Sequence, residues 1–244
     1  MSNRTAVVFI PFFSLCLLFC SLCLAQPNDP KVVLAPCVED SNASSAVFFH
    51  PNRWRSDIEK FKKEDANSFP PKHAVLFVGS SSIRLWKLNR SFPDIITINR
   101  GFGGSYISDS LYYADKIILP YEPNKIVFYA GDNDVTDGKT PSMLLSQIKS
   151  LEQKIHAALP DTEFIYISIK PSIARWHLWS CMKQTNDLIA DYCSKTRHCK
   201  FVDVSEVMLN GSGMPSSELF EQDGLHLNYK GYELWTKLLR PYLN

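Results

Sequence analysis

Short apolar runs rich in β-branched and aromatic residues recur along the chain, separated by longer stretches whose apolar residues follow helical spacing. Five such runs are predicted to be strands, at 74–78, 95–98, 125–130, 163–169 and 200–204. Helices are predicted before, between and after them, at 51–65, 105–120, 141–159, 174–193 and 228–243. Strands that alternate with helices favour a mostly parallel sheet covered by helices on both faces.

The pattern therefore predicts an α/β fold, a three-layer α/β/α sandwich around a mostly parallel five-stranded sheet. The runs at 75–78 and 126–130 are continuously apolar, as expected for strands buried on both faces. In such sheets ligands bind beyond the carboxyl ends of the strands. The segments that follow the five strands should therefore share one edge, and the chemistry is expected there.

The first 25 residues differ from the rest of the chain. Arg4 precedes an almost wholly apolar run that ends near Ala25, which is typical of a secretory signal peptide. A membrane anchor is the alternative, because the run is about long enough to span a bilayer. In both cases the following chain faces the lumen or the exterior. We expect a signal peptide at 1–25, an N-terminal arm at 26–50, one domain at 51–244, and secretion with no stable membrane span after cleavage.

The cysteines and the Asn-x-Ser triplets agree with export. Beyond the leader the chain has four cysteines, Cys37, Cys181, Cys193 and Cys199. An even number in an exported chain suggests two disulfides. Cys193 and Cys199 could close a small loop and leave Cys37 to pair with Cys181, although three pairings are possible. Candidate glycosylation sites are Asn42, Asn89 and Asn210.

Composition and charge exclude some classes of partner. The chain has 244 residues, of which 45% are hydrophobic and 21% charged, enough for one substantial core. The 26 basic and 25 acidic residues give a net charge of +1, and no basic block or stripe occurs. Nothing therefore indicates a nucleic-acid partner. The histidines show no metal-ligand spacing, so no metal site is expected.

Polar and glycine-rich blocks stand at the expected edge of the sheet. They are GSSS at 79–82, NRGFGGS at 99–105, GDND at 131–134 and, before the last helix, DGLH at 223–226. Together they hold a hydroxyl nucleophile, a glycine turn with free amides, a carboxamide and a carboxylate–imidazole pair. These are the groups required for acyl transfer through a serine.

The four blocks, in this order, resemble those of the SGNH hydrolases, the GDSL-type esterases and lipases, from about residue 73 onward. That family has a flavodoxin-like three-layer α/β/α fold. Aligning its Gly-Asp-Ser-Leu block on Gly79 makes Ser81 the nucleophile, with Ser80 in the place of the usual aspartate. His226 would be the general base, and Asp223 would orient its imidazole.

The resemblance also implies an oxyanion hole, the set of donors that stabilises negative charge on the substrate oxygen. It would consist of the backbone N–H of Ser81, the backbone N–H of Gly104 and the side chain of Asn133. Gly103 competes with Gly104 for the glycine role.

The segment after the fourth strand is a candidate wall of the substrate pocket. Trp176 and Trp179 could line an acyl or sugar site, but their three-residue spacing fits a helix face packed on the core equally well. Lys170 and Arg175 could meet an anionic group or be solvated.

These observations predict a secreted serine esterase that hydrolyses carboxylic esters without a metal or organic cofactor. Its partner would be a small-molecule ester, with acetyl or short acyl esters of sugars or small lipids favoured. The alternatives are a lysophospholipase, a thioesterase, an O-acyltransferase, or a catalytically weak binding protein of the same fold. The sequence does not indicate an oligomeric state.

Overall fold

The computed structural model describes residue 37 and residues 52–244. Its centre is a five-stranded sheet in which every neighbouring pair of strands is parallel, in the order β2-β1-β3-β4-β5. The strands are β1 (Val75–Gly79), β2 (Thr97–Gly101), β3 (Lys125–Tyr129), β4 (Glu163–Ile167) and β5 (Cys199–Val202). The α/β class predicted from the alternating pattern is confirmed.

Helices follow each strand, and one helix precedes the first. Within the described residues they are α1 (Arg55–Asn67), α2 (Ser81–Leu85), α3 (Leu88–Ser91), α4 (Ile107–Ile117), α5 (Asp132–Thr136), α6 (Pro141–Ala158), α7 (Trp179–Lys195) and α8 (Tyr229–Leu239). Short 3₁₀ turns lie at Leu119–Tyr121, Trp176–Leu178, Glu206–Met208, Ser217–Leu219 and Arg240–Tyr242.

Two apolar cores lie on the two faces of the sheet, because successive strand side chains point in opposite directions. Leu76 and Val78 of β1 pack in the core formed with α1, α4, α6 and α7. Val75 and Phe77 pack in the other core, formed with α2, α3 and α8. Trp235 of α8 is fully buried in this second core. The helices thus form one layer on each side of the sheet.

The strand β2 lies later in the chain than the predicted run at 95–98, since it continues to Gly101. Two polar residues that sequence reasoning assigned to a loop belong to this edge strand. The amide of Asn99 donates to a carbonyl of α2 at 2.8 Å. The guanidinium of Arg100 is buried and pairs with Asp65 of α1. Polar side chains are accommodated in the strand because each finds a partner there.

Side-chain caps fix where two of the helices begin. The hydroxyl of Thr140 accepts from the N–H of Met143 at 3.4 Å, at the start of α6. The side chain of Asn228 accepts from the N–H groups of Lys230 and Gly231 at 2.9 and 3.2 Å. Such caps satisfy N–H groups that have no partner inside the helix. The first residue of α8, Tyr229, is therefore set three positions beyond the DGLH block.

The structure joins Cys37 to Cys181 and Cys193 to Cys199, which is the pairing suggested from the sequence. Asn89 and Asn210 are exposed, as a glycan acceptor must be. The predicted signal peptide at 1–25, Asn42, and all of the arm except Cys37 lie outside the described residues. None of the helices in the described part of the chain is long and apolar enough to cross a membrane.

The end of β1 admits only glycine. Gly79 has φ = 136°, and a Cβ atom there would lie 1.9 Å from the carbonyl oxygen of Tyr129 on β3. The same carbonyl accepts a hydrogen bond from the N–H of Ser80 at 2.9 Å. The close approach of the two strands turns the chain sharply, and Ser81 becomes the first residue of α2.

The substitution Gly79→Ala is expected to lower the free energy of unfolding far more than Gly138→Ala does. Both glycines have positive φ, 136° and 80°, so both substitutions incur backbone strain of about 1–3 kcal/mol. Only Gly79 adds a steric clash, because nothing lies within 4 Å of a Cβ atom at Gly138. Urea unfolding of both variants measures the difference. Equal losses of stability would contradict the clash at the end of β1.

Candidate active site

The four polar blocks meet at the carboxyl end of the sheet, around an open cleft of about 500 Å³. The residues that line it are Asp57, Ser81, Arg84, Gly103, Gly104, Asn133, Arg175 and His226. All are polar or glycine. The cleft therefore contains a hydroxyl, an imidazole, a carboxamide and two guanidinium groups, but no large apolar side chain among these eight.

Ser81, His226 and Asp223 form one continuous hydrogen-bonded line. The Oγ atom of Ser81 lies 3.1 Å from Nε2 of His226. The other ring nitrogen, Nδ1, lies 2.6 Å from Oδ2 of Asp223. The distance from hydroxyl to imidazole is within the range of a nucleophile and its base.

The turn that carries Asp223 and His226 is held by backbone contacts. The Oδ1 atom of Asp223 accepts from the N–H groups of Leu225 and His226, both at 2.9 Å. Gly224 has φ = 61°, and its carbonyl accepts from the N–H of Ala174 at 3.1 Å. The local contacts bring the carboxylate to the imidazole three residues later, and the contact with Ala174 fixes the turn to the segment after β4.

The charge on Asp223 decides which ring nitrogen of His226 carries the proton. Its hydrogen bond to the imidazole lowers the pKa of Asp223 to about 2, and backbone N–H donors add to the effect. An ionised carboxylate can only accept hydrogen bonds, so Nδ1 must donate to it. In the neutral imidazole Nε2 is then the acceptor, and it faces the Ser81 hydroxyl.

The predicted oxyanion donors, Ser81, Gly104 and Asn133, line the same cleft as His226. The backbone hydrogen bonds found outside helices and strands in the described residues use neither the N–H of Ser81 nor that of Gly104. The side-chain nitrogen of Asn133 donates one hydrogen to the carbonyl of Ser105 at 3.0 Å. Its second hydrogen is left for a ligand. Gly103 also lines the cleft, so the choice between the two glycines stays open.

Ser80, the residue that the resemblance aligns with an aspartate, is completely buried. Its hydroxyl has no hydrogen-bond partner among the described residues. The backbone N–H of Ser80 is nevertheless fixed to Tyr129 of β3. The turn is thus held by its backbone, and no described side chain takes the place of the missing carboxylate contact.

Of the three residues of the predicted pocket wall, only Arg175 lines the cleft. Trp179 is 8% exposed and belongs to the core between the sheet and α7, where Trp176 packs against it. The two indole rings stack with centroids 5.9 Å apart. Neither ring is among the lining residues of the cleft, whereas Arg175 is. Beside the 3₁₀ turn at Trp176–Leu178 the Trp179 ring is buried in the core and the partly buried Trp176 ring packs against that core. This arrangement agrees with the alternative that the three-residue spacing allowed.

A buried ionic cluster beneath the cleft was not found by sequence reasoning. Lys170 is 1% exposed, and its ammonium lies 3.2 Å from Asp132 and 3.1 Å from the hydroxyl of Tyr129. Burial alone would raise the pKa of Asp132, but Lys170 and Arg175 outweigh burial and hold it below its ordinary value. The only signal in the sequence was a lysine directly after an apolar strand, and such a residue could equally be solvated.

Asp134, the last residue of the GDND block, contacts both Lys139 and the start of α4. Its Oδ1 atom pairs with Lys139 at 2.6 Å, and Oδ2 accepts from the N–H of Ile107 at 3.3 Å. Burial raises the pKa of this carboxyl to about 6 although Lys139 opposes the shift. Asp134 therefore anchors the start of α4 beside the glycine turn.

Comparison with known proteins identifies the family of this architecture. The GDSL-like Lipase/Acylhydrolase family model matches residues 83–234, more than half of the chain, beginning two residues after Ser81. No protein with curated annotation matches the sequence.

Solved structures share the fold at low sequence identity. A candidate platelet activating factor from Streptococcus pneumonia is 23% identical, with a TM-score of 0.71 over 78% of this chain and 92% of that chain. A GDSL-like lipase from Bacteroides thetaiotaomicron is 20% identical, with a TM-score of 0.66 over 76% and 96% of the two chains. A carbohydrate esterase of family 3 from Talaromyces cellulolyticus is 18% identical, with a TM-score of 0.54 over 69% and 95%.

The substitution Trp179→Ala is expected to lower the free energy of unfolding by about 3–5 kcal/mol, the usual cost of removing a core tryptophan. The matched control is Tyr229→Ala, since Tyr229 is 60% exposed, and little change is expected there. Chemical denaturation of both variants measures the difference. Unchanged stability in Trp179→Ala would place the ring at a pocket wall after all.

Proposed function

Because this chain belongs to the GDSL-like lipase/acylhydrolase family, we propose that it is a secreted esterase that removes short acyl groups through Ser81, His226 and Asp223. Membership makes it a serine hydrolase that acts on ester bonds. The observation that supports the proposed residues is the line of contacts from Ser81 to His226 at 3.1 Å and from His226 to Asp223 at 2.6 Å.

In the first half of the reaction the Oγ atom of Ser81 attacks the carbonyl carbon of the ester. Nε2 of His226 takes the hydroxyl proton as the new C–O bond forms, and the carbonyl oxygen becomes negative. Asp223 stabilises the imidazolium. The tetrahedral intermediate then collapses, and the alcohol leaves with the proton from His226, so that the acyl group remains on Ser81.

In the second half water replaces the alcohol. His226 takes a proton from the water, whose oxygen attacks the acyl carbon. The same donors stabilise the oxyanion, namely the N–H groups of Ser81 and Gly104 and the amide of Asn133. Collapse returns the proton to Ser81 and releases the carboxylic acid.

The cleft favours a small, polar substrate. Its eight lining residues are polar or glycine, and it is open to solvent. A long acyl chain gains about 0.8 kcal/mol for each CH₂ group that it buries, and this lining offers it little apolar surface. Acetyl and other short acyl esters of sugars or small polar lipids therefore fit best. The carbohydrate esterase among the structural neighbours is consistent with sugar esters.

Secretion is part of the proposal and is supported first by the sequence of residues 1–25. An apolar run after Arg4 that gives way to a polar segment is typical of an exported chain. The two disulfides agree with an oxidising compartment.

The first experiment labels the protein with a fluorophosphonate and measures turnover of p-nitrophenyl acetate and p-nitrophenyl octanoate, for the wild type beside Ser81→Ala. We expect labelling and turnover in the wild type only, with kcat/KM higher for acetate than for octanoate. A folded wild type that neither labels nor turns over would overturn the esterase proposal. A preference for octanoate would favour the lysophospholipase or thioesterase alternative.

The substitution Asp223→Asn is expected to lower kcat by about 10², because an amide no longer fixes the tautomer of His226 or stabilises the imidazolium. The side chain of Asp223 is 49% exposed, so water replaces part of its effect.

The control for this experiment is Asp187→Asn, which removes an exposed carboxylate paired with Lys183. It should change neither kcat nor the pH profile. In the wild type, protonation of Asp223 should cause no fall in kcat above about pH 3, since the pKa of that carboxyl is about 2. A kcat in Asp223→Asn equal to that of the wild type would remove Asp223 from the mechanism.

A further inference from the structure

The side chain of Asn133 is bound at both ends. Its Oδ1 atom accepts from Nη2 of Arg175 at 2.9 Å, and its Nδ2 atom donates to the carbonyl of Ser105 at 3.0 Å. A guanidinium only donates and a carbonyl only accepts. A reversed amide would place donor against donor and acceptor against acceptor, so these contacts allow one orientation. In that orientation the second hydrogen of Nδ2 is free for the substrate oxygen.

Arg175 is in turn held by the buried cluster beneath the cleft. Its Nη1 atom lies 3.1 Å from Oδ2 of Asp132. Nη1 is not aligned to donate a hydrogen bond, so this contact is electrostatic. The same carboxylate oxygen also contacts Lys170, at 3.2 Å. Asp132 precedes Asn133 in the chain, so one rigid turn carries both the acid that holds Arg175 and the amide that Arg175 orients.

The cluster is not electrically balanced. Two cationic side chains, Lys170 and Arg175, share the single carboxylate of Asp132. The next acid in the chain, Asp134, is engaged with Lys139. At the cleft lining Asp57 and Arg84 add one charge of each sign. An excess of positive charge therefore lies behind Asn133, where the burial of Lys170 and Asp132 strengthens its effect on a developing negative charge.

We infer that Arg175 is a positioning residue for the oxyanion hole. It fixes the orientation of the Asn133 amide and supplies the excess positive charge behind that amide. This inference rests on the proposed function, in which Asn133 stabilises the oxyanion. It differs from a role in substrate recognition, because the guanidinium acts through Asn133 and does not itself select the substrate.

The test is a double-mutant cycle of Asn133→Ala and Arg175→Gln, with kcat and KM measured for p-nitrophenyl acetate, an uncharged ester. Asn133→Ala is expected to lower kcat about 10²- to 10³-fold, as for one lost oxyanion donor. Arg175→Gln should lower kcat about 10- to 100-fold with KM nearly unchanged. In the Asn133→Ala background the Arg175 substitution should cost less than about 3-fold, since coupled residues are not additive.

Two results would overturn the inference. Losses of kcat that multiply in the double variant would mean that Arg175 does not act through Asn133. A raised KM with unchanged kcat would make Arg175 a substrate contact. If Arg175→Gln does not fold, Arg175→Lys keeps the charge without the two-pronged donor geometry. Arg175→Lys should lower kcat about 3- to 10-fold in the otherwise wild-type protein and should leave kcat almost unchanged in the Asn133→Ala variant. Equal losses of kcat in the two backgrounds would overturn the inference.

A control and a labelling step separate the possible failures. Arg100→Gln also removes a buried arginine, the partner of Asp65, and should lower stability without changing kcat. Fluorophosphonate labelling of Ser81 shows whether the esterase proposal holds. Absence of labelling and turnover in the wild type overturns both the proposed function and this inference. If the wild type labels and turns over but the losses in the double-mutant cycle are additive, the inference is overturned and the proposed function stands.

Discussion

The close approach of β1 and β3 at Gly79 is the constraint on which the site depends. A side chain at Gly79 would occupy the position of the Tyr129 carbonyl, and the same carbonyl holds the N–H of Ser80. The chain must therefore turn sharply where β1 ends. This turn brings Ser81 to the mouth of the cleft. The block that contains Asn133 begins two residues after Tyr129.

The two helical layers contribute different parts of the site. Ser81 and His226 come from segments attached to the core formed with α2, α3 and α8. Asn133 and Arg175 come from segments attached to the core formed with α4, α6 and α7. Ser81 and His226 thus stand in one layer and Asn133 in the other. The cleft lies where the layers meet, beyond the carboxyl ends of the strands.

The two carboxylates of the site are held ionised by different means. Asp223 is half-exposed, and hydrogen bonds from His226 and neighbouring N–H groups lower its pKa. Asp132 is buried, where an unpaired charge would be costly, and it remains ionised because two cations surround it. The exposed carboxylate contacts Nδ1 of His226 at the edge of the cleft. The buried one belongs to a rigid frame that can hold Asn133 in a fixed orientation.

The sequence by itself determined the α/β class and the placement of the four blocks. Alternating apolar runs define strands buried on both faces, and local spacing alone brings Asp223 to His226. The tertiary structure decided the polar end of β2, the inward direction of Trp176 and Trp179, and the contact between Arg175 and Asn133. The physical reason is the separation along the chain over which each signal acts. Periodicity and short spacing are local properties, whereas a partner 42 residues away is chosen by how the loops pack across the end of the sheet.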